Sequence, residues 1–390
     1  MSRQQSDMYL FNEGTQSLML PVAHMSRAAT RRLSALSSQT RHASSAETMK
    51  EAIVAKGPKV TIRDVPIPTP GPYQVVTKVI FSGSNPKDWK RPEFMPDKPP
   101  TNQGDDVSGI VHSVGDHVSE FKPGDRVIAF HEMMKPGGSY AEYALSWAHT
   151  TVHLPQHISF QEGAAIPLAA LTAAVGLFAR LRLPDPWLPA TKPIPLIIYG
   201  AASAVGSYAI QLAKRANIHP LLCVAGRSAK HVEDLIDRSK GDTIIDYRDG
   251  DEAVVKGFKE AANGAKIEFA FDAVSEKGSV ENVGKVLDHE TGLVTFVLPG
   301  RKYELPGNIR QHLTTVGSVH GVPDNLNEFG FVYFRYIQKG LEEGWFKPQP
   351  QEVVPGGLEG IESALQNLKS GKANAVKYVF KIEDTPGVQQ

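Results

Sequence analysis

Apolar and polar positions follow two different rhythms along this chain. Over residues 50–90 they alternate in places and are interrupted by proline and glycine, a pattern that predicts short antiparallel strands joined by turns. The same rhythm runs through 104–127, where Val111, Val114, Val118, Phe121 and Val127 are placed to point inward. Gly109, Gly115 and Gly124 permit the bends or bulges of a small barrel there. Residues 138–143 continue this section, and Leu154 with Pro155 closes it. Beyond residue 195 the pattern changes. Short apolar runs at 196–199, 220–225, 242–247, 267–274 and 292–298 alternate with stretches of helical spacing, among them 251–263 and 278–289. Strands separated by helices predict a parallel sheet with right-handed crossovers. Residues 327–345 read as a further helix, and 371–382 as a last strand returning to the first region.

The apolar run at 196–199 is followed at once by Gly200, small residues and Gly206, with Val205, Ala209, Leu212 and Ala213 at helical spacing. That is a strand, a tight turn and a helix. Such a turn brings backbone N–H groups and the positive end of the helix dipole against a pyrophosphate. Gly200, Ala202, Ser203, Ala204, Val205 and Gly206 are therefore a candidate dinucleotide site. The spacing departs from G-x-G-x-x-G, because Ala201 and Ser203 hold the first two glycine places. An ordinary helix start capped by Ser203 is the competing reading. Gly226 stands about twenty residues on, where an NAD site usually places its ribose-binding carboxylate. Here it is followed by Arg227, Ser228, Ala229 and Lys230. Arginine, serine and lysine can hold a 2'-phosphate that a carboxylate would repel, so the expected cofactor is NADPH rather than NADH. The alternative is that Arg227 and Lys230 are solvated residues at a helix start.

With 390 residues, 41% hydrophobic and 22% charged, the chain has material for two cores. Lys plus Arg equals Asp plus Glu at 42 each, so no charge excess argues for nucleic acid or an anionic membrane. No apolar run approaches the roughly 20 residues of a bilayer span. Cys223 is the single cysteine; an intrachain disulfide framework and a multi-cysteine zinc site are excluded. Its place in the second predicted strand makes it a buried strand residue rather than a nucleophile. Residues 25–46 hold four arginines, six serines and no acid, the composition of a mitochondrial transit peptide. Asp7 and Glu13 upstream stand against that, and a Ser-rich disordered tail has the same composition. Residues 1–48 are expected to be such an extension, with the folded part starting near Met49. A cytoplasmic location is expected, the mitochondrial matrix being the alternative if the extension targets.

With the 109–127 segment and the 200–206 turn in this order and separation, the chain resembles the medium-chain dehydrogenase/reductases over about residues 49–385. The resemblance implies an α/β protein. A GroES-like β-barrel domain would span 49–168 and 320–390, and a Rossmann domain with a doubly wound parallel sheet would span 169–319 and bind NADPH. Zinc alcohol dehydrogenases of this family use two cysteines and a histidine around a catalytic zinc. Here Asn85 stands at the first ligand position and Asp105 at the histidine position, and neither cysteine exists. No metal is expected, and the chain is similar to the zinc-independent quinone and enoyl reductases. Without a Lewis acid, simple alcohol oxidation loses its main electrostatic assistance. Residues 181–195 contain five prolines, which excludes a regular helix or central strand. A long loop at this place resembles the fungal trans-acting enoyl reductases that serve polyketide synthases, and their ToxD-like relatives. A stiff spacer is the other reading.

The implied reaction is NADPH-dependent reduction of an activated C=C bond, in an enone or enoyl thioester, or of a quinone, by hydride transfer in a cleft between the domains. From the resemblance, Asn85, Lys87, Asp88, Trp89 and Lys90 approach the nicotinamide, and Leu298 with Pro299 lies near it. The 202–205 turn meets the pyrophosphate, Ala225, Gly226, Arg227, Ser228 and Lys230 meet the adenosine phosphate, and Tyr247 lies beside the ribose. Ala375 and Val376 make a late backbone contact. Thr172 either faces the cofactor or bonds its own helix backbone. Reduction of a conjugated bond passes negative charge to the carbonyl oxygen and needs a proton at the α carbon. Lys87, Lys90 and Tyr140 are candidate catalytic donors by position, each with an alternative place as a cofactor-positioning or surface residue. Solvent is the other proton source. His112, His117 and His131 are read as surface or loop residues. In the trans-acting reading a polyketide synthase is the partner. An NADPH-binding sensor or structural protein is the alternative from another class. A monomer or homodimer is expected.

Overall fold

The computed structural model describes residues 47–301 and 303–388. The extension expected over 1–48 thus lies, except for its last two residues, outside the described part. Strands β1 (Thr48–Ala55) and β2 (Lys59–Pro66) form an antiparallel hairpin from Thr48 opposite Pro66 to Ala55 opposite Lys59. A seven-stranded sheet follows, built on β3 (Gln74–Gly83), β4 (Asp106–Val114), β5 (Arg126–Phe130), β6 (Tyr143–Trp147) and β7 (Thr151–His153). Strand β3 pairs with β4 and β6, and two register shifts against β4 bend it. Val111, Val114, Val118, Phe121 and Val127 gather with Val75 in one apolar cluster, as their spacing predicts. Helix α1 (Pro86–Phe94) leaves the end of β3, with Asn85 as its N-cap and Pro86 in its first turn. Proline costs nothing there, because that N–H has no helical acceptor.

Helices α2 (Phe160–Gly163) and α3 (Pro167–Ala174) lead through a wider helical turn at Val175–Arg180 into the proline-rich loop. Then six parallel strands follow: β8 (Leu196–Tyr199), β9 (Leu221–Ala225), β10 (Thr243–Asp246), β11 (Phe269–Asp272), β12 (Leu293–Phe296) and β13 (Arg310–Leu313). Their order is β10-β9-β8-β11-β12-β13, so the chain reverses direction across the sheet between β8 and β11. Ligands of such sheets sit at the carboxyl ends of the strands at that reversal. Helices α4 (Ala204–Arg215), α5 (Ala229–Glu233), α6 (Asp251–Ala262) and α7 (Ser279–Gly284) cross over between them. Period-two geometry explains why β8 is apolar throughout. Leu196 and Ile198 pack on one side with Ala209 and Leu212 of α4, while Ile197 and Tyr199 pack on the other with Val254 and Phe258 of α6.

Helix α8 (Asn327–Glu343) buries Gly330, Tyr333, Phe334, Ile337 and Leu341, a stripe at helical spacing. After β14 (Gln351–Val353) and α9 (Ile361–Lys369), strand β15 (Lys377–Lys381) pairs antiparallel with β3, with Val379 opposite Gly83. The chain end therefore does return to the first sheet, although 371–376 is loop rather than strand. Several elements escape the sequence pattern. Pro86–Phe94 is helix α1 although its first residues fall in the stretch that predicts strands, because Asn85 caps it and Pro86 suits its first turn. All four residues of β13 are exposed and read R-Q-H-L, without apolar alternation. Helix α9 buries only Ile361, Ala364 and Leu365.

Candidate active site

The turn after β8 is held open by glycine. Gly200 has φ +78°, and a Cβ on Gly206 would lie 2.3 Å from the Gly200 carbonyl oxygen. Only glycine lets the first turn of α4 approach the strand so closely. Ser203 caps the helix, its Oγ accepting from Gly206 N at 3.0 Å. First-turn N–H groups have no acceptor within their helix, so those of Ala204 and Val205 are available to an anion. Gly226 follows β9, and a Cβ there would lie 2.6 Å from the Tyr247 ring, which is half exposed. Arg227 and Lys230 are exposed beside it and pair with no carboxylate among the described residues. Ser228 Oγ donates to Asn374 Oδ1, which brings the segment holding Ala375 and Val376 against the end of β9. This cradle of small residues, free helix N–H groups and cations fits the phosphates of a dinucleotide. Leu298 and Pro299 leave the end of β12, and the Leu298 carbonyl accepts from Tyr303 Oη at 2.7 Å.

On the barrel side, the N-terminus of α1 is a buried network of charges. Asn85 Nδ2 donates to Asp106 Oδ2 at 2.7 Å, and Asn85 Oδ1 accepts from Lys377 Nζ at 2.8 Å. Lys377 also pairs with Asp106 Oδ2 at 2.7 Å, and Asp106 Oδ1 accepts from Leu168 N at 2.6 Å. The Lys87 ammonium sits between Asp88, at 2.7 Å, and Asp105, and donates to the Gln103 carbonyl. Burial pushes the Asp105 carboxyl up, but Lys87 and His131 outweigh it and hold it at about 2. Asp88 goes the other way, raised by burial despite Lys87. Two ammonium groups thus satisfy the carboxylates that a cation would need. Among the described residues no group of three His, Cys, Asp or Glu side chains is arranged to hold a metal; this donor set does not fit one.

The structure separates the candidate donors. Lys87 is partly exposed. Lys90 reaches across to Glu276 Oε2 at 3.0 Å, on the segment after β11. Tyr140, the third candidate, is fully buried, and its hydroxyl donates to Asp88 Oδ2 at 2.6 Å, a positioning contact rather than an open donor. Trp89 lies between the ammonium groups of Lys90 and Lys369, 5.6 and 5.7 Å from its ring centre. Thr172 Oγ1 donates to its own helix at Leu168 O, 2.7 Å away. His131 lies in the loop after β5, one of the two places expected, but it is buried, because Asp105 Oδ1 at 2.8 Å and the Pro136 carbonyl at 3.2 Å engage its two ring nitrogens. His112 and His117 are exposed as expected. Asp106 and Lys377 were missed. The available signal was a lysine placed directly before the apolar run Y-V-F of the last strand.

A second histidine gives a testable consequence. His320 packs on Phe130, its Nε2 lies 3.0 Å from Thr150 Oγ1, and its buried Nδ1 has no partner. Burial, with His149 and His131 nearby, pushes it down to about 3. The folded protein refuses a proton that the unfolded chain accepts near pH 6.5. Its contribution is therefore complete above pH 6.5 and is lost as pH falls towards 3, by up to about 1.4 kcal/mol per pH unit. H320F is expected to flatten this loss between pH 6.5 and 4.5 in urea denaturation.

The model of the alcohol dehydrogenase GroES-like domain matches residues 71–156, the section of β3 to β7. The trans-enoyl reductase fsr4 of Gibberella fujikuroi is 56% identical over 86% of this chain and 98% of its own length. The chain belongs to the trans-enoyl reductase family. The trans-enoyl reductase resD of Aspergillus sclerotiorum is 30% identical, over 84% of this chain and 98% of its own. An alcohol dehydrogenase superfamily protein from Novosphingobium aromaticivorans superposes with a TM-score of 0.73 at 23% identity, covering 86% of this chain and all of that one. This trans-enoyl reductase family member is thus an oxidoreductase with the expected α/β fold, a GroES-like domain beside a Rossmann-type parallel sheet. A nicotinamide cofactor follows from the family.

Proposed function

We propose that the protein is a zinc-independent, NADPH-dependent enoyl reductase that acts on an α,β-unsaturated acyl thioester carried by a polyketide synthase. One observation carries the reading. Beside a dinucleotide cradle, the place where related dehydrogenases hold zinc is filled by Lys87, Lys377 and their carboxylates. A conjugated thioester is an acceptor that needs no Lewis acid, because its own carbonyl takes up the charge as hydride arrives at the β carbon. The bound cofactor supplies that hydride. The protein's residues hold the pyrophosphate at the N-terminus of α4 and keep the cleft-side charge balanced, the Lys87 ammonium being spent on Asp88, Asp105 and the Gln103 carbonyl. The names of the relatives and the resemblance to reductases acting in trans support the carrier-bound substrate. A free small enone or a quinone is then a slower acceptor.

The NADPH preference rests on Arg227, Ser228 and Lys230 at the end of β9, where no carboxylate stands. The double variant R227A/K230A is expected to raise KM for NADPH roughly 10- to 100-fold, the worth of about one to two charge-assisted hydrogen bonds, and to leave KM for NADH unchanged. Initial rates of cofactor oxidation against an enoyl thioester, an enone and a quinone check both points. Equal use of NADPH and NADH by the wild type contradicts the phosphate clamp. Tight NADPH binding with no acceptor reduced favours a sensor.

A further inference from the structure

Gln349 belongs to none of the motifs that mark the site, yet it touches three of the segments that form it. It is 1% exposed and lies between α8 and β14. Its backbone is pinned from below: Gln349 N donates to Tyr208 Oη at 3.0 Å, and Lys347 N donates to Gln211 Oε1 at 2.7 Å, both on α4. Its side-chain Nε2 donates to Ala202 O at 3.2 Å, in the turn after β8, and to Ala375 O at 2.9 Å. Its Oε1 lies 3.2 Å from His231 Nε2, on α5, the helix that also carries Lys230. Both amide hydrogens are used, and the amide has one orientation only. Turned over, its oxygen would face two carbonyl oxygens. Because Oε1 can only accept, and Ser207 Oγ, 3.0 Å from the same ring nitrogen, gives its own hydrogen to Ala201 O, His231 Nε2 carries the proton and shares it between Gln349 and Ser207. Ala375 has φ +52°, a conformation an L residue keeps only where its surroundings hold it.

We propose that Gln349 is a cofactor-positioning residue. It sets the spacing between the turn at Ala202 and the segment at Ala375, the two walls between which the dinucleotide lies, with His231 aligning its amide. The proposal rests on the cofactor reading above. The wall spacing decides how well backbone groups meet the pyrophosphate, so the residue acts on cofactor binding and not on the reacting carbon.

Q349E tests this with nearly the same shape. Both donors are lost, and an anion faces the carbonyls of Ala202 and Ala375. The dissociation constant for NADPH, read by nucleotide fluorescence, is expected to rise roughly 10- to 100-fold, while kcat at saturating NADPH and KM for the enoyl thioester change less than about threefold. H231F, which keeps both Gln349 donors and removes the imidazole shared by Gln349 and Ser207, is expected to change in the same direction by a smaller factor. Wild-type affinity in both variants overturns the proposal. So does a fall in kcat matching the loss of affinity, which marks a general structural defect. If Q349E does not fold, an unchanged H231F overturns it alone. Failure of the wild type to bind NADPH overturns the cofactor reading itself, and this role with it.

Discussion

D106A is expected to lower the stability of the protein by about 3–5 kcal/mol, the usual cost of removing one member of a buried ion pair. Three bonds end on this carboxylate. Oδ2 takes the Lys377 ammonium and the Asn85 amide, and Oδ1 takes the Leu168 N–H at the start of α3. The variant strands an ammonium whose side chain is 5% exposed, leaving it only the Asn85 oxygen. The loss is a large part of the roughly 5–15 kcal/mol that separates a folded domain from its unfolded chain. Urea denaturation at pH 7 measures it. Replacing both partners by apolar residues, as in D106L/K377M, is expected to recover much of the loss, since the uncompensated charge is what costs most. If D106A alone is as stable as the wild type, the buried network is not what holds the end of β15 to β3 and α3.

G206A is expected to reduce kcat/KM for NADPH about 100-fold, the scale set by misplacing a binding group by about 1 Å. Its Cβ would lie 2.3 Å from the Gly200 carbonyl oxygen and 2.8 Å from Ala201 Cα. Both obstacles are backbone, and neither can turn aside. The first turn of α4 must therefore move away from β8, taking the N–H groups of Ala204 and Val205 with it. Titration with NADPH and steady-state rates are expected to show the loss mainly in cofactor affinity. Wild-type affinity in G206A would show that this turn does not bind the pyrophosphate.

Residues whose neighbours lie close in sequence were legible, and those that depend on distant partners were not. The strand, turn and helix from Leu196 to Arg215 read correctly because a fully buried strand, a glycine turn and an amphipathic helix each leave their own local pattern. The five inward residues around Val111 did so for the same reason. Strand β13 carries no such pattern, since its backbone pairing with β12 stabilises it while its side chains stay in water. His131 and Lys377 are buried only because Asp105 and Asp106 wait for them across the fold. Tyr140 was placed near the right residues, but only the structure reveals that its hydroxyl is spent on Asp88. Lys90 likewise faces Glu276, 186 positions away, a separation at which no sequence pattern operates.

In the proposed reaction hydride passes from NADPH to the β carbon of an unsaturated acyl thioester. Single turnover with NADPH deuterated at the transferable C4 position, with mass spectrometry of the product, follows that hydride. A saturated thioester with one deuterium at the β carbon is expected. Deuterium on the carbonyl carbon, or NADPH bound without any transfer of label, would contradict it.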